Sequence, residues 1–397
     1  MSAFSDAADL VGVTDAPRAK HPPGWEPHVE EHGDTATAVS DPIPGSPSHD
    51  DLIRGWDMDP VVWEIVGDVN VRRWQRHDGE WLRYFRANLR RRRAAGDPAD
   101  VEALCKAALR KGPTHRPVAT DTGRALVVCL NDWQIGKNEG PGRGTPEAVE
   151  RITRQIGMLP ALIRAQRPSS VVLAGVGDPV ERVVGHYPSQ TFTVDLDERE
   201  QQRVVRRLYL AAVNTVAPLV ESVTMTAVPC NHSEMRNGAG KMMTRVSDSV
   251  SLTLAENVAE VCAANPERYG HVRFLYAADA TLVHDVEGVQ LATNHGHHFR
   301  GKGDAMRTAW EWWAGQVMGT QPVAAADVLL TAHKHHFQVS EERGRTVMLA
   351  PANDGGSAWW TRTTGQESPP GMLTFGVGLG YGKPSEGRCW DHLRVLA

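Results

Sequence analysis

The chain has 397 residues, 41% of them apolar and 23% charged, with a formal net charge of −5. That composition excludes a collagen-like or wholly disordered polymer and supplies enough apolar material for a sizeable core. The acidic balance argues against a protein that coats nucleic acid over its whole surface.

No run approaches 18 consecutive apolar residues, so no membrane span is expected. The N-terminus lacks the basic and apolar regions of a secretory signal. Cysteines 105, 129, 230, 262 and 389 are odd in number and scattered. A disulfide framework is not expected, and the reading is a cytoplasmic protein.

Residues 1–48 carry Pro22, Pro23, Pro42, Pro44 and Pro47 without periodicity, which predicts a flexible arm. Residues 49–111 turn to Trp and Arg and predict a small helical module, with Pro60 opening one helix and a break at 96–98. Residues 112–117 read as a linker to the main domain, 120–397.

From Arg124 onward apolar runs alternate with helical patterns. Strands are predicted at 125–130, 170–174, 223–228, 272–277, 280–286, 289–293, 327–331, 337–341, 346–349 and 373–379. A helix opens at Thr145-Pro146-Glu147 and lines Val149, Ile152, Ile156, Leu159 and Ile163 on one face, with Pro160 expected to kink it. Further helices are predicted over 198–220, 247–264 and 304–318. Strand–helix alternation followed by a strand-rich half predicts an α/β domain of two packed sheets with helices outside.

Five segments place ligand-type side chains just after an apolar strand. They are Asp132-Trp133-Gln134, Gly177-Asp178, Asn231-His232-Ser233-Glu234, His295-Gly296-His297-His298 and His333-Lys334-His335. Strand-end loops let a rigid sheet aim side chains into one cleft. Carboxylate, amide oxygen and imidazole together suit divalent ions such as manganese, iron or zinc. Two such ions about 4 Å apart clamp both sides of an in-line phosphoryl displacement.

With these segments the chain resembles the calcineurin-like metallophosphoesterases, whose pattern runs DxH, GD, GNH(D/E), His-Gly and GHxH. Here the corresponding stretches are DWQ, GD, CNHSE, NHGH and AHKH, in the same order. The resemblance implies a four-layer αββα sandwich with two divalent ions, manganese expected and magnesium, iron or zinc as alternatives. It places Asp132 and His335 on the first ion, Asp178 between both, and Asn231, His295 and His333 on the second. His232 would face the scissile phosphate and protonate the leaving oxygen, with Glu234 orienting its ring.

Three positions depart from the pattern: Cys230 and Ala332 replace glycines, and Gln134 replaces a histidine. Gln134 is expected to reach the first ion through its side-chain oxygen. The DWQIGK and GDPVE stretches further resemble phosphoesterases and exonucleases carried by actinobacterial phages.

Other residues read more plainly. His297, His298 and His336 are taken as neighbours of phosphate or solvent, and His186 and His284 as ordinary polar or core histidines. Trp310, Trp312 and Trp313 should pack on the sheet. Asp354-Gly355-Gly356 reads as an exposed loop before Trp359-Trp360, whose packing reading stands beside base stacking.

Between Arg72 and Arg93, arginines 72, 73, 76, 83, 86, 90, 91, 92 and 93 interleave with Trp74, Trp81, Tyr84 and Phe85. The arginines either grip phosphates or form the solvated face of an aromatic core. The expected function is a cytoplasmic two-metal phosphodiesterase, a DNA nuclease or exonuclease, able to form a homo-oligomer. The alternatives are a phosphatase or phosphodiesterase acting on small nucleotides, and a nucleic-acid-binding protein with an inactive phosphoesterase domain.

Overall fold

The computed structural model describes residues 21–33, 35–75, 79–91, 122–140, 142–187, 190–237, 240–301, 304–357, 361–362, 365 and 367–397. The expected break at 96–98, the linker at 112–117, Cys105, Trp359-Trp360 and arginines 76, 92 and 93 lie outside the described residues. Two compact units divide the chain, Met1–Ala95 and Gly96–Ala397.

The first unit corrects the expectation of an arm followed by a helical module. It is a five-stranded antiparallel sheet of β1 (His28–His32), β2 (Thr35–Val39), β3 (Ile43–Pro44), β4 (Trp63–Gln75) and β5 (Trp81–Arg91), with one short helix, α1 (His49–Gly55). The deciding signal is a period of two. Phe85, Ala87 and Leu89 are buried, while Arg86, Asn88 and Arg90 between them face outward or sit half-buried. Ala36 and Ala38 of β2 join them in a core closed by Leu52 and Ile53 of α1 with Trp56, Met58 and Trp63. The arginine-rich composition concealed an alternation that only a strand satisfies.

The second unit is the expected αββα sandwich. Its first sheet runs β16-β15-β6-β7-β8-β9, built from β6 (Ala125–Asn131), β7 (Ser170–Gly177), β8 (Ser222–Ala227), β9 (Val272–Tyr276), β15 (Met372–Val377) and β16 (Trp390–Leu396). Strands β6 to β9 are parallel, joined by helices α2 (Thr145–Gln166), α3 (Glu198–Val216), α4 (Val250–Ala263) and α5 (Pro266–Tyr269). The second sheet runs β10-β11-β12-β14-β13, from β10 (Thr281–Val286), β11 (Val289–Asn294), β12 (Val328–Thr331), β13 (Gln338–Glu342) and β14 (Arg345–Leu349). Its outer face carries α6 (Ala305–Met318).

Alternation along single strands builds all three interlayer cores. In β6, Leu126, Val128 and Leu130 pack under the helices, while Ala125, Val127 and Cys129 face the second sheet. In β12, Val328 and Leu330 face inward, while Leu329 meets Trp313 of α6. Trp313 donates its indole N–H to Val323 O, 2.9 Å away, and so packs on the sheet as expected. Helix α2 continues through Pro160. Strand β16 was not anticipated, because most of this edge strand is exposed and polar and it buries only its ends. Among the described residues no helix is long and apolar enough to cross a membrane.

Candidate metal centre

All five ligand-bearing segments follow the carboxyl ends of strands in the two sheets: β6, β7, β8, β11 and β12. Loops beyond such strand ends are where open α/β sheets hold their ligands. Five of the expected site residues have left-handed backbone: Asp132 (φ 46°), Gln134 (40°), Asp178 (46°), His333 (67°) and His335 (58°). Each costs about 1 kcal/mol or more, and such strain concentrates where side chains must be aimed. Gly177 (φ 108°) needs no side chain, since a Cβ there would overlap the His295 ring and Cys230.

The structure brings Asp178, His295 and His333 together, with one ligand atom from each lying within 4.8 Å of the others. His295 Nδ1 sits 2.9 Å from Val176 O. A carbonyl only accepts, so Nδ1 carries a hydrogen and Nε2 is the ring nitrogen that a metal ion would take. That nitrogen lies 2.9 Å from Asp178 Oδ2 and 2.9 Å from Asn231 Oδ1. A buried carboxylate needs positive charge beside it. Against burial, Asp178 draws the His295 pKa upward and so favours a proton on that ring; a divalent ion bound there would take the place of that proton.

Asp132 anchors the other side of the cleft. Its Oδ2 accepts from Asn131 Nδ2 (2.8 Å) and from the His333 backbone N–H (3.2 Å). Its Oδ1 is buried without a hydrogen-bond partner among the described residues and faces His335 Nε2 at 3.4 Å. The donor set around Asp178, Asn231, His295 and His333 therefore fits a divalent ion well.

The electrostatics follow from burial and proximity. Burial works to raise the Asp178 carboxyl, but His295, His232 and His333 hold it well below the usual carboxylate range. Burial and the neighbouring His295 push His333 down to about 2. Burial also works against charge on His335, yet Asp354 and Asp132 lift it to about 9.

His232 lies on the same cleft, and Glu234 does not orient it. Glu234 instead pairs with Arg236 (2.9 Å) and His297 (3.1 Å). Glu181 takes the orienting position. Its carbonyl oxygen lies 2.9 Å from His232 Nδ1 and its carboxylate 3.4 Å away, with Tyr187 donating to that carboxylate at 2.6 Å. The signal was available in GDPVE, where Glu181 follows Asp178 by three residues.

Two further residues escaped the sequence reading. His186, taken as ordinary, stacks flat on the His232 ring with centroids 4.6 Å apart. Asp354, expected in an exposed loop, is buried and ion-paired to Lys137 at 2.5 Å. Lys137 also donates to Gln134 Oε1 at 3.0 Å, while Gln134 Nε2 lies 3.4 Å from His232 Nε2. A second group able to hold an ion is Glu234, His297 and His298, next to the first and distinct from the expected pairing of Asp132 with His335.

The αββα sandwich and these two clusters define a metallophosphoesterase-like site. No family model matches the chain, and no curated protein does. Among solved structures it is similar to Vps29 of Entamoeba histolytica in complex with Zn2+, at 13% identity and a TM-score of 0.29 over 68% of this chain and 96% of that one. It is also similar to an archaeal phosphodiesterase, at 12% identity and a TM-score of 0.30 over 68% and 99%. Vps29 of Chaetomium thermophilum gives 11% and 0.29 over 64% and 81%. Likenesses this distant leave the chain's activity to be argued from its own side chains.

Proposed function

We propose that the protein is a divalent-metal-dependent phosphodiesterase acting on nucleic acid, with DNA as its substrate. The convergence of His295 Nε2, Asp178 Oδ2 and Asn231 Oδ1 carries this reading. A bound divalent ion would supply a nucleophilic water at neutral pH and neutralise charge on the phosphate.

The chain's own groups do the rest. Asp178, Asn231, His295 and His333 would hold the ion, with Val176 O orienting the His295 ring through Nδ1–H. His232, kept in place by Glu181 and His186, would hand a proton from Nε2 to the leaving oxygen when its ring is protonated on both nitrogens.

The nucleic-acid part of the reading rests on the first unit. Arg73 and Arg83 lie directly opposite each other on β4 and β5. Like charges so placed disfavour each other; Arg83 also donates to Gly45 O, and a phosphate over the pair would relieve the repulsion. Trp81 beside them is 50% exposed, with the Arg73 guanidinium 5.7 Å from its ring. Arg86 lies 4.9 Å over Trp25. Cationic and aromatic side chains together suit a phosphate backbone with stacked bases.

The test is the purified full chain, stripped by chelator and restored with manganese, assayed on single- and double-stranded DNA, RNA, a nucleoside monophosphate and a simple phosphodiester. Metal-restored cleavage of DNA is expected. Full activity in excess chelator would overturn the metal assignment, and cleavage confined to small nucleotides would overturn the DNA assignment.

A further inference from the structure

We infer that Gln134 is locked as a hydrogen-bond donor rather than a metal ligand, so that the chain carries one tight divalent-ion site and a much weaker one beside Asp132 and His335. The inference rests on the phosphoesterase reading and refines it.

The argument starts from Lys137. Its ammonium is buried, with 9% of the side chain exposed, and is ion-paired with Asp354 at 2.5 Å. An ammonium has three donors and no acceptor. The Gln134 atom 3.0 Å from Lys137 Nζ must therefore be the amide oxygen. The amide nitrogen is then the atom 3.4 Å from His232 Nε2.

The neutral form of His232 agrees with that orientation. Its Nδ1 faces the Glu181 carbonyl oxygen at 2.9 Å, and that oxygen can only accept. In the neutral ring Nδ1 holds the hydrogen and Nε2 accepts, which the Gln134 N–H2 meets as a donor. Turning the amide over would set N–H2 against the ammonium, two donors face to face whatever the charge on His232.

This has a consequence for metal binding. The Gln134 oxygen is committed to Lys137, and any ion sharing it would sit beside a full positive charge. Lys137 is tied down by Asp354, with Glu181 adding to the field that keeps it charged. The first site is left with Asp132, Asp178 and His335, and His335 is also drawn toward Asp354, 3.6 Å from its Nδ1. The second site keeps Asp178, Asn231, His295 and His333. Lys137 is thus a positioning residue acting through Gln134, and it supplies fixed positive charge on the side of the cleft where the second ion binds weakly.

The experiment is manganese titration of the metal-free full chain by calorimetry, with elemental analysis after gel filtration, on folded wild type and variants. On a Glu234→Gln background, which takes the Glu234, His297 and His298 group out of the count, and in wild type alike, the chain should retain one ion, with any second ion binding at least tenfold more weakly. Gln134→His should tighten the second ion at least tenfold and leave the first unchanged. Lys137→Gln, which frees the Gln134 oxygen while still offering Asp354 a donor, should move the second ion in the same direction.

Two equally tight ions in wild type would overturn the inference, with the phosphoesterase reading intact. So would loss of one tight ion in Gln134→Ala, the signature of a deleted ligand. If Lys137→Gln fails to fold, the two Gln134 variants still decide the matter. A chain that binds no divalent ion would sink the phosphoesterase reading itself, a result separable from either of those.

Discussion

Replacing Glu181 with Gln isolates the electrostatic part of the proposed acid. The Glu181 carboxylate is buried, with 1% of its side chain exposed, and lies 3.4 Å from His232 Nδ1. At that 3.4 Å distance an imidazolium and a carboxylate attract by about 5 kcal/mol, taking an effective dielectric of ~20. Desolvation offsets much of this, and the ion pair retains a net of about 1.5–3 kcal/mol, the scale of other contacts to a charged group. Glu181→Gln keeps an oxygen to accept from Tyr187 Oη but turns an N–H2 toward the His232 Nδ1–H, donor against donor. Turnover should fall roughly 10- to 100-fold, at about 1.4 kcal/mol per decade.

The same change should not weaken the fold. Burial raises the Glu181 carboxyl above its ordinary value despite the opposing pull of His232 and Lys137. A neutral amide relieves that burial cost, so the melting temperature should hold or rise while bound metal stays constant. Steady-state kinetics, thermal melts and elemental analysis on one preparation check all three. Unchanged turnover would refute the orienting role, and metal loss in step with activity would show that Glu181 acts on the ion site instead.

His232→Ala should lose most turnover yet keep its metal, whereas His333→Ala should lose the tight ion; equal metal loss by elemental analysis would merge roles that the geometry separates. Burial pushes His284 down to about 4, and among the described residues neither ring nitrogen has a hydrogen-bond partner. Its folded pKa is depressed, so its contribution is complete above about 6.5 and is lost as pH falls toward 4, at most about 3 kcal/mol. His284→Phe should flatten urea-midpoint stability across that window, and an unchanged pH dependence would show that water already solvates the ring. Arg73→Ser/Arg83→Ser should lower the slope of log affinity for DNA against log salt by about 2, while leaving cleavage of a small phosphodiester unchanged. An unaltered slope would assign those arginines to the solvated face.

The sequence by itself determined the strands of the second unit other than β16 (Trp390–Leu396) and the positions of the ligand-bearing loops. Both are local properties. Buried strands such as β7 (Ser170–Gly177) read as continuous apolar runs, and a ligand set at strand ends keeps its order whatever the side chains do next. It missed the first unit because composition outweighed period: alternating Arg and apolar residues in β5 resembled a basic helix until the sheet register fixed which side faced the core.

Tertiary structure alone decided the partners inside the cleft. Glu181 and Glu234 are each a short step along the chain from ligand-type residues, and only the folded loops show that the first meets His232 and the second meets Arg236 and His297. Asp354 reaches Lys137 across 217 positions of sequence, turning an unremarkable Asp-Gly-Gly turn into part of the site. Gln134 is the sharpest case. Its identity announced a neutral oxygen for a metal, but an amide has two faces, and a buried ammonium chosen by the fold determines which one the cleft receives.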